Sequence, residues 1–150
     1  MNIASLRHYR RQLEDILRGE LSVLERTLEA SVARSDDLQE SAERAADRFQ
    51  SALRQGLSCD EMIDRTHDLE RRSMAVQHAL NRLTDARNRW EGKRAEVVEA
   101  ARERKMLELL EQRRLHQRAV RLRRLEQCAL DEAAHIRFLQ HEQRQIRHGS

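Results

Sequence analysis

The chain has 150 residues, no proline, four glycines, 3% aromatic and 37% charged residues, and a formal net charge of +3 at pH 7. So few aromatic side chains cannot fill a globular core, and so many charges cannot leave the surface. Disorder is excluded by the regular spacing of the apolar residues, set among Glu, Arg, Gln and Ala, which form helices well.

The opening run, Met1 to Arg11, has no apolar stretch long enough for a signal peptide or a membrane span. A cytoplasmic protein without direct membrane insertion is expected. The first helix is predicted over about residues 2–55. Its stripe, in steps of three and four, is Leu17, Leu21, Leu24, Leu28, Leu38, Ala42, Ala45, Phe49 and Ala52. Ile3, Leu6 and Leu13 continue it upstream after a one-step shift in register. Ser31 and Ser35 hold the positions between Leu28 and Leu38, which predicts a weak, polar layer.

A turn is expected at residues 56–58. Gly56 suits the left-handed residue that ends a helix, and Ser58 with Glu61 reads as a capping box for the next one. Asp60, Glu61 and Asp64 add negative charge where the helix dipole favours it. The second helix is predicted over about residues 59–146, with Gly92 tolerated inside it, and the end at His148-Gly149-Ser150 is expected to fray. Its stripe runs through Met62, Leu69, Val76, Leu80, Leu83, Trp90, Val97 and Ala101. It continues through Leu115, Ala119, Leu122, Leu125, Ala129, Ala133, Ile136 and Leu139.

A short connection makes the helices antiparallel neighbours. Pairing positions whose numbers total about 114 sets Ala52 by Met62, Ala45 by Leu69, Leu38 by Val76, Leu24 by Trp90, Leu17 by Val97 and Leu6 near Leu107. Ser31 then meets Leu83 in the poorest layer. The expected fold is all-α, a single coiled-coil domain over residues 1–150: a long two-helix antiparallel coiled-coil hairpin with an extended C-terminal helix. Parallel dimerisation through either stripe is the rival arrangement.

Helix lengths differ, and that difference carries the functional reading. The first helix ends opposite about residue 113, so roughly 30 residues of the second would project by some 45 Å without an intramolecular partner. An exposed apolar stripe marks an interaction site. The competing layout, a third helix folded back after about residue 114, lacks a Gly or Pro to make the break. Residues 102–150 also carry 12 basic and 7 acidic groups, concentrating positive charge in the final third.

Catalytic chemistry finds no support. The histidines at 8, 67, 78, 116, 135, 141 and 148 contain no i, i+4 pair for zinc, and no cysteine lies near enough to help. Cys59 and Cys128 fall too far apart for a disulfide in such a rod, consistent with a reducing compartment. Four scattered glycines make no phosphate loop, and a thin rod has no concave pocket in which to tune a pKa. No enzymatic activity, cofactor, metal or small-molecule substrate is expected. Arg113, Arg114, Arg118, Arg121, Arg123 and Arg124 form a basic cluster. Glu108, Glu111 and Glu126 interrupt it and stacking aromatics are missing, so nucleic acid is a minor alternative.

The segment from Glu103 to Arg114, Glu-Arg-Lys-Met-Leu-Glu-Leu-Leu-Glu-Gln-Arg-Arg, resembles the charged, Leu-containing segment of the FliJ family of flagellar type III export coupling proteins. Leu125 to Ala133, Leu-Glu-Gln-Cys-Ala-Leu-Asp-Glu-Ala, is similar to that family's terminal run, and Tyr9 to Glu14 to its opening helix. The injectisome counterpart shares the same plan. The resemblance implies a stalk that docks in the pore of a hexameric export ATPase, links it to the membrane export gate protein and recycles export chaperones. Such a protein would be cytoplasmic and peripheral at the inner face of the membrane. Arg113, Arg114, Gln127, Asp131 and Glu132 are the matched positions, implied to face the ATPase or the chaperones. Leu69 and Val76 match the gate-contact region only in spacing. Ser31, Ser35 and Gly92 depart from the family's pattern.

Combined with the stripe, these expectations place partner contacts at Arg113, Arg114, Arg118, Leu115, Leu122, Leu125, Gln127, Asp131, Glu132, Ile136 and Leu139. The open end, near residues 1–13 and 110–140, would enter the ring. The hairpin core is expected at Leu17, Leu24, Leu38, Phe49, Met62, Leu69, Val76, Leu83, Trp90 and Val97. A scaffolding coiled coil that self-associates through residues 115–139 is the alternative.

Overall fold

A computed structural model describes residues 2–148, without the side chain of His148. The fraying expected at Gly149 and Ser150 lies outside the described residues. Two helices account for the chain, α1 (Ile3–Gln55) and α2 (Cys59–His148), and no strand occurs among the described residues. The fold is the all-α helical hairpin read from the sequence, with α2 at 90 residues against 53 for α1.

The break between the helices is local chemistry. Gly56 adopts φ 93°, a conformation that a side chain would strain, and its N–H donates to the Leu53 carbonyl at 3.3 Å. At the start of α2 the Ser58 N–H donates to Glu61 Oε2 at 3.1 Å, and the Glu61 N–H donates back to Ser58 Oγ at 3.3 Å. This reciprocal cap satisfies donors that the first helical turn leaves open. The Ser58 N–H, then its hydroxyl, holds the Glu61 carboxyl below its usual value of 4.5.

Among the described residues the chain divides into two compact units: His8–Glu103, and residues 2–7 together with 104–148. In the first, α1 packs along α2 through a narrow seam. Leu17, Leu24, Leu38, Phe49, Leu69, Val76, Leu83, Trp90 and Val97 are half-buried on it. The fully covered apolar residues are all alanines: Ala45, Ala79, Ala86 and Ala100. A pair of helices covers each side chain from one direction only, so a large residue keeps an edge in water and a methyl group does not.

On α2, Arg72, Ala79, Ala86, Lys93 and Ala100 stand seven residues apart and share one row of the seam. The alanines are buried, and the two cations reach out from the row onto α1. Arg72 donates to Ser41 Oγ at 2.5 Å, and Lys93 pairs with Glu20 at 2.9 Å. Arg10 pairs with Glu103. In each of these three cross-helix pairs the residue numbers total 113, one less than the register read from the apolar pattern.

Three expectations need correction within this unit. Met62 is 40% exposed rather than part of the core, because α1 ends at Gln55 and its last turn leaves that edge of α2 open. Leu80 is 39% exposed, and its neighbour Ala79, at 6%, takes the seam position. The one-step shift near Leu13 is not needed. Glu14, 3% exposed and paired with Arg18 at 2.6 Å, occupies the seam and keeps the three-four spacing through Arg10, Glu14 and Leu17.

In the second unit Arg7 pairs with Glu111 at 2.5 Å, and Arg104 with Glu108 at 2.8 Å along α2. Ile3, Leu6 and Leu107 are half-buried. Over residues 112–147 every side chain except Val120 is exposed.

Candidate functional site

The stretch of α2 beyond Glu111 is helical because nothing in it opposes a helix: it has no Gly or Pro before Gly149, and it is rich in Arg, Leu, Gln and Ala. Arg113, Arg114, Leu115, Arg118, Leu122, Leu125, Gln127, Asp131, Glu132, Ile136 and Leu139 are all exposed on it. Leu125 is 67% exposed and Phe138, which the sequence reading passed over, is 62%. An apolar side chain held open to this degree gains nothing from folding and becomes a gain only when another surface covers it.

The six arginines from Arg113 to Arg124 make no ion pair among the described residues, and residues 113–124 contain no carboxylate. At about 100° per residue they point to every side of the helix except a wedge held by Leu115, Ala119 and Leu122. Gln127, Asp131 and Glu132 follow one to two turns later, and the two carboxylates are the first negative charges after Glu126. The arrangement offers charge and apolar area for binding.

The unit His8–Glu103 carries two grooves that the sequence reading did not locate. One, of about 490 Å³, is lined by Gln39, Ala42, Glu43 and Ala46 of α1 and Leu69, Ser73, Val76 and Leu80 of α2. The other, of about 540 Å³, is lined by Thr27, Ala30, Ser31, Arg34 and Leu38 of α1 and Ala75, His78, Ala79 and Arg82 of α2. Both open where seam positions hold small residues: Ser31, Ser35, Ala42 and Ala79. The weak layer at Ser31 was the signal in the sequence. It does not say on which side the space opens.

Near the turn, Asp60, Glu61 and Asp64 are exposed, as are both cysteines. No group of three His, Cys, Asp or Glu residues gathers to hold a metal among the described residues. Among the described residues, no helix is long and apolar enough to cross a membrane.

Compared with curated proteins and with solved structures, the chain has no match. Compared with protein families, residues 2–143 match the family described as FliJ, flagellar FliJ protein.

Proposed function

The chain belongs to the FliJ family, which makes it a coiled-coil protein of flagellar export, and from that premise we propose that it is the non-catalytic stalk of the export apparatus, joining a hexameric export ATPase to the export gate and to substrate chaperones. One observation carries the reading: residues 112–147 of α2 present arginines all round and an apolar wedge, with only Val120 partly covered. A flat partner would meet one face of such a helix. A ring whose pore is lined by acidic residues meets every face at once, and Coulomb attraction across the confined gap is stronger than at an open surface.

In this reading Arg113, Arg114 and Arg118 contact the ring together with Leu115, Leu122 and Leu125. Gln127, Asp131, Glu132, Ile136 and Leu139 face the ring or the chaperones. The groove at Leu69 and Val76 is the surface offered to the gate, its apolar floor suiting an extended or helical linker. A stalk of this kind works in the cytoplasm at the inner face of the membrane, passing position or torque between partners without bond chemistry.

The decisive experiment is stimulation of a hexameric export ATPase by the purified chain and by R113E/R114E/R118E. The expected result is loss of stimulation by about tenfold or more with helicity unchanged. Equal stimulation by the two proteins would remove the basic contact. Light scattering at low micromolar concentration adds a second check. A stable dimer that buries residues 115–139 would favour the scaffolding coiled coil instead.

A further inference from the structure

We propose that the groove between Thr27–Leu38 of α1 and Ala75–Arg82 of α2 is a docking site for an acidic amphipathic helix of a partner protein. The helix would lie along the pair as a third member. This surface is separate from the groove at Leu69 and Val76. On α2, Ala75 and Arg82 lie to one side of the seam residues Val76 and Ala79, and Ser73 and Leu80 lie to the other.

Shape comes first. The lining of α1 spans three turns, about 16 Å at 1.5 Å per residue. The floor is Ala30, Leu38, Ala75 and Ala79. Its two hydroxyls donate within α1, Thr27 to the Val23 carbonyl at 3.1 Å and Ser31 to the Thr27 carbonyl at 2.9 Å, which leaves the trough effectively apolar. Val23, 61% exposed and one heptad before Ala30, extends the same face. A row of apolar side chains from a third helix would fill this trough.

Charge selects the occupant. Arg34, His78 and Arg82 rim the trough, and no carboxylate lines it. None of the three makes an ion pair among the described residues. The half-buried cations do: Arg7 with Glu111, Arg10 with Glu103, Arg72 with Asp68, Lys93 with Glu20 and Glu96, and Arg104 with Glu108. The opposite groove has Glu43 on its rim, with Asp36 and Glu40 beside it, while the trough's own face carries one carboxylate beyond its lining, Asp37, one heptad after Ala30. An acidic helix is therefore accepted on one side of the hairpin and repelled from the other, which fixes where it docks. A second copy of this chain is a poor occupant, because the apolar residues beside its acidic stretch, Leu38, Ala42 and Ala45, are already turned into its own seam with α2.

The probe is a fluorescein-labelled helical peptide of about 16 residues, with an Ala stripe flanked by Glu, and its counterpart with Lys for every Glu. Both are titrated into the full-length chain, into R34E/R82E, and into R113E/R114E/R118E, which removes the competing basic stretch. Anisotropy reads binding, and hydrogen exchange reads the footprint. Expected are binding of the Glu peptide to the parent and to R113E/R114E/R118E, a loss of about tenfold or more with R34E/R82E and with the Lys peptide, and protection at residues 27–38 and 75–82. Ala75→Leu, which fills the trough without changing charge, should weaken binding as well, and thermal melts confirm that each variant is folded. No binding to the parent, equal binding to R34E/R82E, equal binding of the Lys peptide, or protection confined to residues 113–124 each overturns the proposal. None of these outcomes bears on the ATPase contact, which involves a different part of α2.

Discussion

Lys93 of α2 reaches Glu20 of α1 at 2.9 Å while holding Glu96 on its own helix at 2.8 Å. It stands in the heptad row of the buried alanines Ala79, Ala86 and Ala100, as Arg72 also does, so a cation occupies a seam position and carries its charge outward to the edge. Sliding the helices by one residue separates this pair, Arg72 from Ser41 and Arg10 from Glu103 together. The polar edge thus reinforces the register set by the apolar seam.

The Lys93 ammonium is held above its usual value of 10.5, first by Glu96 and then by Glu20. A raised group stabilises the fold fully below its unfolded value and loses that contribution as pH climbs through the raised one. Melting temperature should therefore be level from pH 8 to 10 and fall above about 10.5 more steeply in the parent than in Lys93→Gln. Lys93→Glu should melt below Lys93→Gln at pH 7, since it adds a third carboxylate to Glu20 and Glu96. Circular dichroism melts across this pH range check both.

At the acid end the sign reverses. Glu61 is held below 4.5 by Ser58, and Asp68 below 3.8 by Arg72. Their contributions are present above those usual values and vanish as pH falls through the lower folded ones. Ser58→Ala should cost about 1 kcal/mol at pH 7. Glu61→Gln should shrink the loss of stability between pH 5 and pH 2. Urea melts at three pH values measure these differences.

Gly56 sits at φ 93°, where a side chain is strained even though nothing lies within 4 Å of the added Cβ. Gly56→Ala should cost about 1–2 kcal/mol. The change should leave total helicity the same and speed unfolding of the hairpin. Replacing Gly92, which lies inside α2 with open space around its missing Cβ, should do the reverse: Gly92→Ala should stabilise by about 1 kcal/mol.

Ser31 lines the larger groove at a seam position. Ser31→Leu should fill part of it and raise stability by about 1 kcal/mol. Calorimetry gives the sign directly. An unchanged or lower melting temperature would mean that the leucine turns outward or that α1 shifts to admit it.

Amides of residues 115–147 have helical hydrogen bonds but almost no side-chain cover. In the isolated chain they should exchange at least about tenfold faster than those of residues 69–97, and slow to comparable rates once a partner covers the stretch. Hydrogen exchange with mass spectrometry reads both states.

Much of this protein follows from the sequence alone. Three-four spacing in two long runs, one glycine in a position that favours a left-handed residue, and a Ser-x-x-Glu cap determine two helices, their break and their antiparallel pairing. Each of those is a local choice of backbone conformation or a period of side chains, and both are written in the order of residues. The excess length of the second run is equally plain in the sequence, as is the arginine run from 113 to 124. What tertiary packing decided was which residue of a neighbouring pair is covered. Leu80 is more apolar than Ala79, yet Ala79 is the one buried, because two helices in contact admit small side chains at the closest approach and push large ones to the edge. Glu14 likewise entered the seam against its hydropathy, since Arg18 lies one turn away to pair with it. The grooves beside Ser31 and Ala42 arise for the same reason: their volume and their charged rims depend on how near the helix axes come and on which flank is left open, and a linear pattern contains neither.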